Sequence, residues 1–146
     1  MIDPGSQAVL ASILRRESRS LLLYVGDAFP WATASQTQEL TTLQGLIHQE
    51  RAAVASLGQF LLRQRVGLPF IGAYPMAFTT IHFVALDYLL PRLIEAQSHG
   101  IEQLQGDLER LVDAGSRLEV ERLLAVKKRT QAGLERLVPA SSPASV

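Results

Sequence analysis

Four helical stripes in this chain each carry a charge where an apolar side chain is expected. Leu40, Leu43, Ile47, Glu50, Val54, Leu57 and Leu61 follow one another at alternating steps of three and four, the spacing that lines one face of a helix, and only Glu50 is polar. The same stepping gives Leu10, Leu14, Glu17, Leu21 and Tyr24, again with one glutamate. A third stripe, Val120, Leu123, Lys127, Thr130, Leu134 and Leu137, is interrupted by a lysine with a threonine one turn on. In the fourth, Thr80, Phe83, Asp87, Leu90 and Ile94 place Asp87 in line, with Glu95 beside it as the other inward candidate. A carboxylate moved alone into an apolar core costs several kcal/mol or takes up a proton, so each of these groups needs a partner or an edge position that reaches water.

The remaining reactive residue types do not assemble into a known site. The chain has no cysteine, which excludes disulfides, thiolate nucleophiles and Cys-ligated metal. His48 lies two residues before Glu50, about 200° round the helix from it, and is expected to face away. His82 and His99 lack convergent partners and read as surface or edge residues. No nucleophile turn, phosphate loop or dinucleotide fingerprint occurs, so hydrolase and nucleotide-binding readings have no support and no catalytic residue is assigned. Lys plus Arg and Asp plus Glu number 14 each, and without a basic excess nucleic acid is not an expected partner.

The elements that must position these charges are helices. Apolar residues recur at helical spacing through most of the 146 residues, and no stretch shows sustained strand alternation. One all-α domain over residues 1–138 is expected, with helices at about 6–26, 36–65, 76–113 and 116–138 and a disordered tail at 139–146. Ser35 with Gln38 could cap the second helix, Gly115 could end the third, and Ser116 with Glu119 could open the fourth. Pro91 is expected to kink the third helix. Phe29 and Trp31 fall in the first connection, as a plug on the end of the core or an aromatic anchor for another subunit.

Residues 66–86 run for 21 positions without Asp, Glu, Lys or Arg, but Gly67, Pro69, Gly72 and Pro75 break the first half, so no membrane span is expected. A second helix of about 45 Å is followed by an apolar segment, "GLPFIGAYP", able to extend roughly 33 Å. That reach suits a long crossover between parallel second and third helices of a four-helix bundle. The N-terminal "MIDPGSQ" lacks the basic and apolar regions of a signal peptide, which makes a cytoplasmic location the expectation.

Inward carboxylates from the helices of a bundle, with Glu-x-x-His motifs on two of them, are the pattern of di-iron ferritin-like proteins. Over residues 6–138 this chain resembles that superfamily, rubrerythrin-like domains included. Glu17 and Glu50 are 33 residues apart, and Glu95 and Lys127 are 32 apart, similar to the spacing within each half of such a domain. The resemblance implies metal-site positions at Glu17, Glu50, Ala53, Glu95 (or Asp87), Lys127 and Thr130. The motifs are degenerate: Ala53 stands where the second helix would supply histidine, and Lys127 and Thr130 stand where the fourth would supply glutamate and histidine. The expectation is therefore a bundle that has lost di-iron binding, holds no cofactor, and serves a structural or interaction role as a homodimer. Lys127 would replace metal as counter-charge to Glu17 and Glu50. The alternative is a redox or storage protein binding iron or manganese through Glu17, Glu50 and Glu95. An ideal-helix count places Glu95 roughly 10 Å along the axis from Lys127. A third class is a bundle enclosing a small apolar ligand.

Overall fold

The structure, a computed structural model, describes residues 2–28, 30, 32–81 and 85–138. Phe29, Trp31, His82, Phe83 and the 139–146 tail, on which some expectations fall, lie outside the described residues. Helices α1 (Pro4–Ser18), α2 (Leu21–Ala28), α3 (Thr37–Arg63), α4 (Leu86–Glu109) and α5 (Ala114–Leu137) pack as an all-α four-helix bundle, α1 and α2 together forming one arm. No helix of the described residues is long and apolar enough to cross a membrane.

The expected first helix is divided. Arg19 leaves helical geometry, its N–H donating to the Arg16 carbonyl and the Ser20 N–H to the Glu17 carbonyl. Ser20 then opens α2, its hydroxyl accepting from the Leu23 N–H at 3.3 Å, a task serine performs better than it fills a helix interior. Asp3 caps α1, accepting from the Ser6 N–H at 2.9 Å and the Ser6 hydroxyl at 2.7 Å. Those hydrogen bonds, the hydroxyl's first, hold the Asp3 carboxyl below its ordinary value.

The third expected helix begins ten residues late, at Leu86 rather than 76. Met76–Ile81 instead forms 3₁₀ turns, in keeping with a run rich in threonine and isoleucine whose branched side chains crowd an α-helix. Pro91 is accommodated inside α4. At the next junction Asp113, not Ser116, caps α5, accepting from the Ser116 N–H at 2.8 Å. Gly115 accordingly lies in the first turn of α5, against Phe60, and does not terminate α4. Before α3, the Thr33 N–H donates to Gln36 Oε1 at 2.9 Å, two residues upstream of the expected Ser35–Gln38 box.

Cross-helix contacts fix the direction of each element. Phe60 of α3 meets Gly115 at the start of α5 while Leu46 meets Gly133 near its end, so α3 and α5 are antiparallel. α4 and α5 form a helical hairpin, with Gln131 hydrogen-bonded to Ser98 and Gly100 against Lys127. α3 and α4 therefore run the same way, Gln36 donating to Asp87 at 2.8 Å near their starts. Residues 64–81 and 85 are the described part of the connection between α3 and α4. Leu14 beside Gly58 and Gly26 beside Ile47 set α1 and α2 antiparallel to α3.

The core is filled by leucine, isoleucine and valine from every helix, among them Leu10, Leu43, Leu61, Leu104, Val120 and Leu134, each fully buried. On α4 the inward stripe is Leu86, Leu89, Leu90, Leu93, Gln97, Gly100, Ile101 and Leu104. Of the expected Thr80, Phe83, Asp87, Leu90 and Ile94 stripe, Leu90 is buried and Asp87 exposed, because the helix starts only at Leu86 and its phase is set from there.

Candidate functional site

At mid-height the apolar core gives way to a level of charge. Lys127 of α5 is 2% exposed, Glu17 of α1 2% and Glu50 of α3 0%. The Lys127 ammonium lies 2.6 Å from Glu17 Oε1 and 3.3 Å from Glu50 Oε2, so one cation bridges two carboxylates. The expected pairing of Lys127 with Glu17 and Glu50 is the arrangement found. A lysine suits this position because its ammonium has three donors and a four-carbon stem that can cross the space between helices.

The fourth helix contributes an amide rather than a carboxylate. Gln97 Nε2 donates to Glu50 Oε1 at 2.5 Å and to the Lys127 carbonyl at 3.1 Å. Glu95 and Asp87 are both exposed, Asp87 receiving Gln36, so neither supplies the expected α4 ligand. The cause is angular. Glu95 is fourteen residues before the end of α4 and Lys127 thirteen after the start of α5, so an axial offset of only about 1.5 Å separates them once the turn at 110–113 is left out of the helical count. Two residues from Gln97, however, Glu95 points about 200° away from it.

Gly100 makes room for the lysine. A Cβ at that position would lie 3.2 Å from Lys127 Cε and 3.3 Å from Nζ, tighter than side chains ordinarily pack. Thr130, one turn beyond Lys127, is 1% exposed and its hydroxyl makes no hydrogen bond among the described residues; Ala53 is half-buried. His48 is exposed, as the helical phase of α3 requires, and so is His99.

The level extends through residues the stripes did not single out. Arg16, next to Glu17, holds Glu17 Oε2 at 3.2 Å and the buried Asp107 of α4 at 2.9 Å. Asp107 is also held by Arg110. Three carboxylates (Glu17, Glu50, Asp107) thus meet three cations (Arg16, Lys127, Arg110), a sequence of contacts touching α1, α3, α4 and α5. Asp107 had a legible signal: it continues the Leu93, Gln97, Gly100 and Leu104 stepping of α4. Gln97 carried a weaker one, an uncharged polar residue in the same stripe.

The donor set does not fit a di-iron centre. An ammonium occupies the space between the two carboxylates, α4 offers an amide nitrogen there, and among the described residues no three His, Cys, Asp or Glu side chains converge. A group 2% exposed also has no open face for a substrate.

Elsewhere, a cleft of about 540 Å³ lies between α1, α3 and the 64–85 connection, walled by Leu14, Val54, Leu68 and Ile71 with Arg51 and Tyr74 also lining it. Burial, reinforced by the Asp27 charge, raises the Tyr74 hydroxyl above its ordinary pKa. Compared with family models, with curated proteins and with solved structures, the chain matches none of them.

Proposed function

We propose that this chain is a ferritin-like bundle in which lysine has taken the place of metal, and that it serves a structural or interaction role rather than a redox one. The observation that carries this reading is the Lys127 ammonium between Glu17 and Glu50, a cation at the centre of a carboxylate pair. A buried charge supplied by the chain itself compensates the carboxylates without any exchangeable ion. The parallel course of α3 and α4, with a long return between them, supports the ferritin-like assignment. In this reading the protein works as a homodimer in the cytoplasm, without a cofactor.

The test is metal analysis of protein purified after growth in iron- and manganese-rich medium, together with sedimentation analysis. Substoichiometric metal and a dimer support the proposal. Stoichiometric iron or manganese that survives chelation sinks it and favours the redox or storage alternative through Glu17 and Glu50.

The cleft between α1, α3 and the connection favours one second reading, a carrier of a small apolar ligand. A rise in thermal midpoint with apolar ligands, abolished by Val54→Trp, would establish it.

A further inference from the structure

A smaller concavity, about 270 Å³, opens on the outer side of α1 and is lined by Ser12, Arg15, Arg16, Arg19 and Pro75. Positions 12, 15, 16 and 19 recur at helical spacing, so three guanidinium groups and a hydroxyl come to one face. Among the described residues, only Arg16 of the three is neutralised, by Glu17 and Asp107. Arg15 uses its Nε on the Phe70 carbonyl at 3.0 Å and has no carboxylate partner among the described residues. Arg19 Nε is shielded from water and makes no hydrogen bond among the described residues. No acidic side chain lines the concavity.

Two positive charges without a carboxylate partner among the described residues share one recess, which is unusual for a chain with a formal net charge of zero. The carbonyl end of α1 attracts cations there, but that attraction is satisfied on the surface and does not require a recess or a buried guanidinium nitrogen. Guanidinium forks match paired oxygens of a tetrahedral oxyanion, and two unpaired cations match a dianion. We propose that this concavity binds a phosphate monoester, with Arg15 and Arg19 on the phosphate oxygens and the Ser12 hydroxyl as a further donor. The monoester is carried either by a small soluble molecule or by a lipid headgroup. Phe70 and Met76, each 86% exposed, flank the recess through the Phe70 carbonyl and Pro75 and would enter the bilayer only in the lipid case.

The experiment uses the full chain. Calorimetric titration with glycerol phosphate, against chloride at matched ionic strength, is run beside co-sedimentation with phosphatidylcholine vesicles with and without phosphatidic acid. Binding in either arm is expected, and Arg15→Gln and Arg19→Gln should each weaken it about tenfold, the loss of one charge-assisted hydrogen bond. Circular dichroism should show both variants folded, since neither arginine takes part in the buried level. Binding to glycerol phosphate identifies a soluble source. Binding only to phosphatidic acid vesicles, reduced by Phe70→Ser, identifies a lipid. The absence of binding in both arms, or undiminished binding by the double arginine variant, overturns the proposal.

Discussion

Lys127 and Glu119 stand eight residues apart on the inward side of α5, yet their surroundings differ in kind. Lys127 meets Glu17 and Glu50, whose side chains are 3% and 1% exposed. Glu119, itself only 8% exposed, meets Arg122 at 3.2 Å and Arg63 at 4.0 Å, whose side chains are 65% and 60% exposed. At the rim, water solvates the arginines and can replace either of them. At mid-height water does not reach, and without the lysine Glu17 keeps only Arg16 and Glu50 only the Gln97 amide. The strength of an ion pair here follows from what would solvate a charge after its partner is removed, and similar distances conceal that difference.

The largest expected effect comes from unpairing the level. Lys127→Met leaves Glu50 without a cation and Glu17 with Arg16 alone, and should lower unfolding free energy by about 3–5 kcal/mol, measured by urea denaturation. A loss below about 1 kcal/mol would show that water reaches the level after all. Replacing Glu17, Glu50 and Lys127 together by leucine should recover most of that loss or exceed wild-type stability by about 1–4 kcal/mol. A triple variant no more stable than Lys127→Met would instead point to packing at these positions.

Smaller effects refine the contrast. Asp113→Ala removes the α5 cap and should cost about 1 kcal/mol near neutral pH. Burial opposes ionisation of Asp113, but the Ser116 N–H and the Ser116 and Ser6 side chains outweigh it and hold the carboxyl below its ordinary value of 3.8. A lowered folded-state pKa means the cap's contribution is complete above the unfolded value and is lost as pH falls through the folded one. The difference between wild type and Asp113→Ala should accordingly vanish only in strong acid.

Gly106→Ala, with nothing within 4 Å of the added carbon, should stabilise α4 by about 0.5–1 kcal/mol. Gly100→Ala should show no such gain, because the lysine it would press upon is held at both ends of its reach. Glu119→Gln should change stability by less than about 1 kcal/mol, and that change should shrink in high salt.

Much of this could be read from residue order. The α1, α3 and α5 stripes give Glu17, Glu50 and Lys127 directly, because charge in an apolar series is conspicuous and those helices keep one phase through it. The α4 face was misread for a local reason: the apolar run before Leu86 looks helical by composition, but the helix starts only at Leu86, and the face it presents is set from there. Gln97 escaped notice because an uncharged amide does not stand out against leucines. Helix ends were the least legible, since Asp113 and Ser116, or Thr33 and Ser35, are all competent caps and only the packing of neighbouring helices chooses between them.

The closure of the charge level also bears on how this sequence can change over generations. The members depend on one another: losing Lys127 leaves Glu50 with only the Gln97 amide and Glu17 with only Arg16, and gaining a third carboxylate there without first losing the lysine adds repulsion. Single substitutions at these sites therefore pass through a poorly folded protein, whereas concerted ones need not. The level behaves as an epistatic ratchet, and drift in this chain should leave it untouched while the half-exposed faces of the same helices diverge.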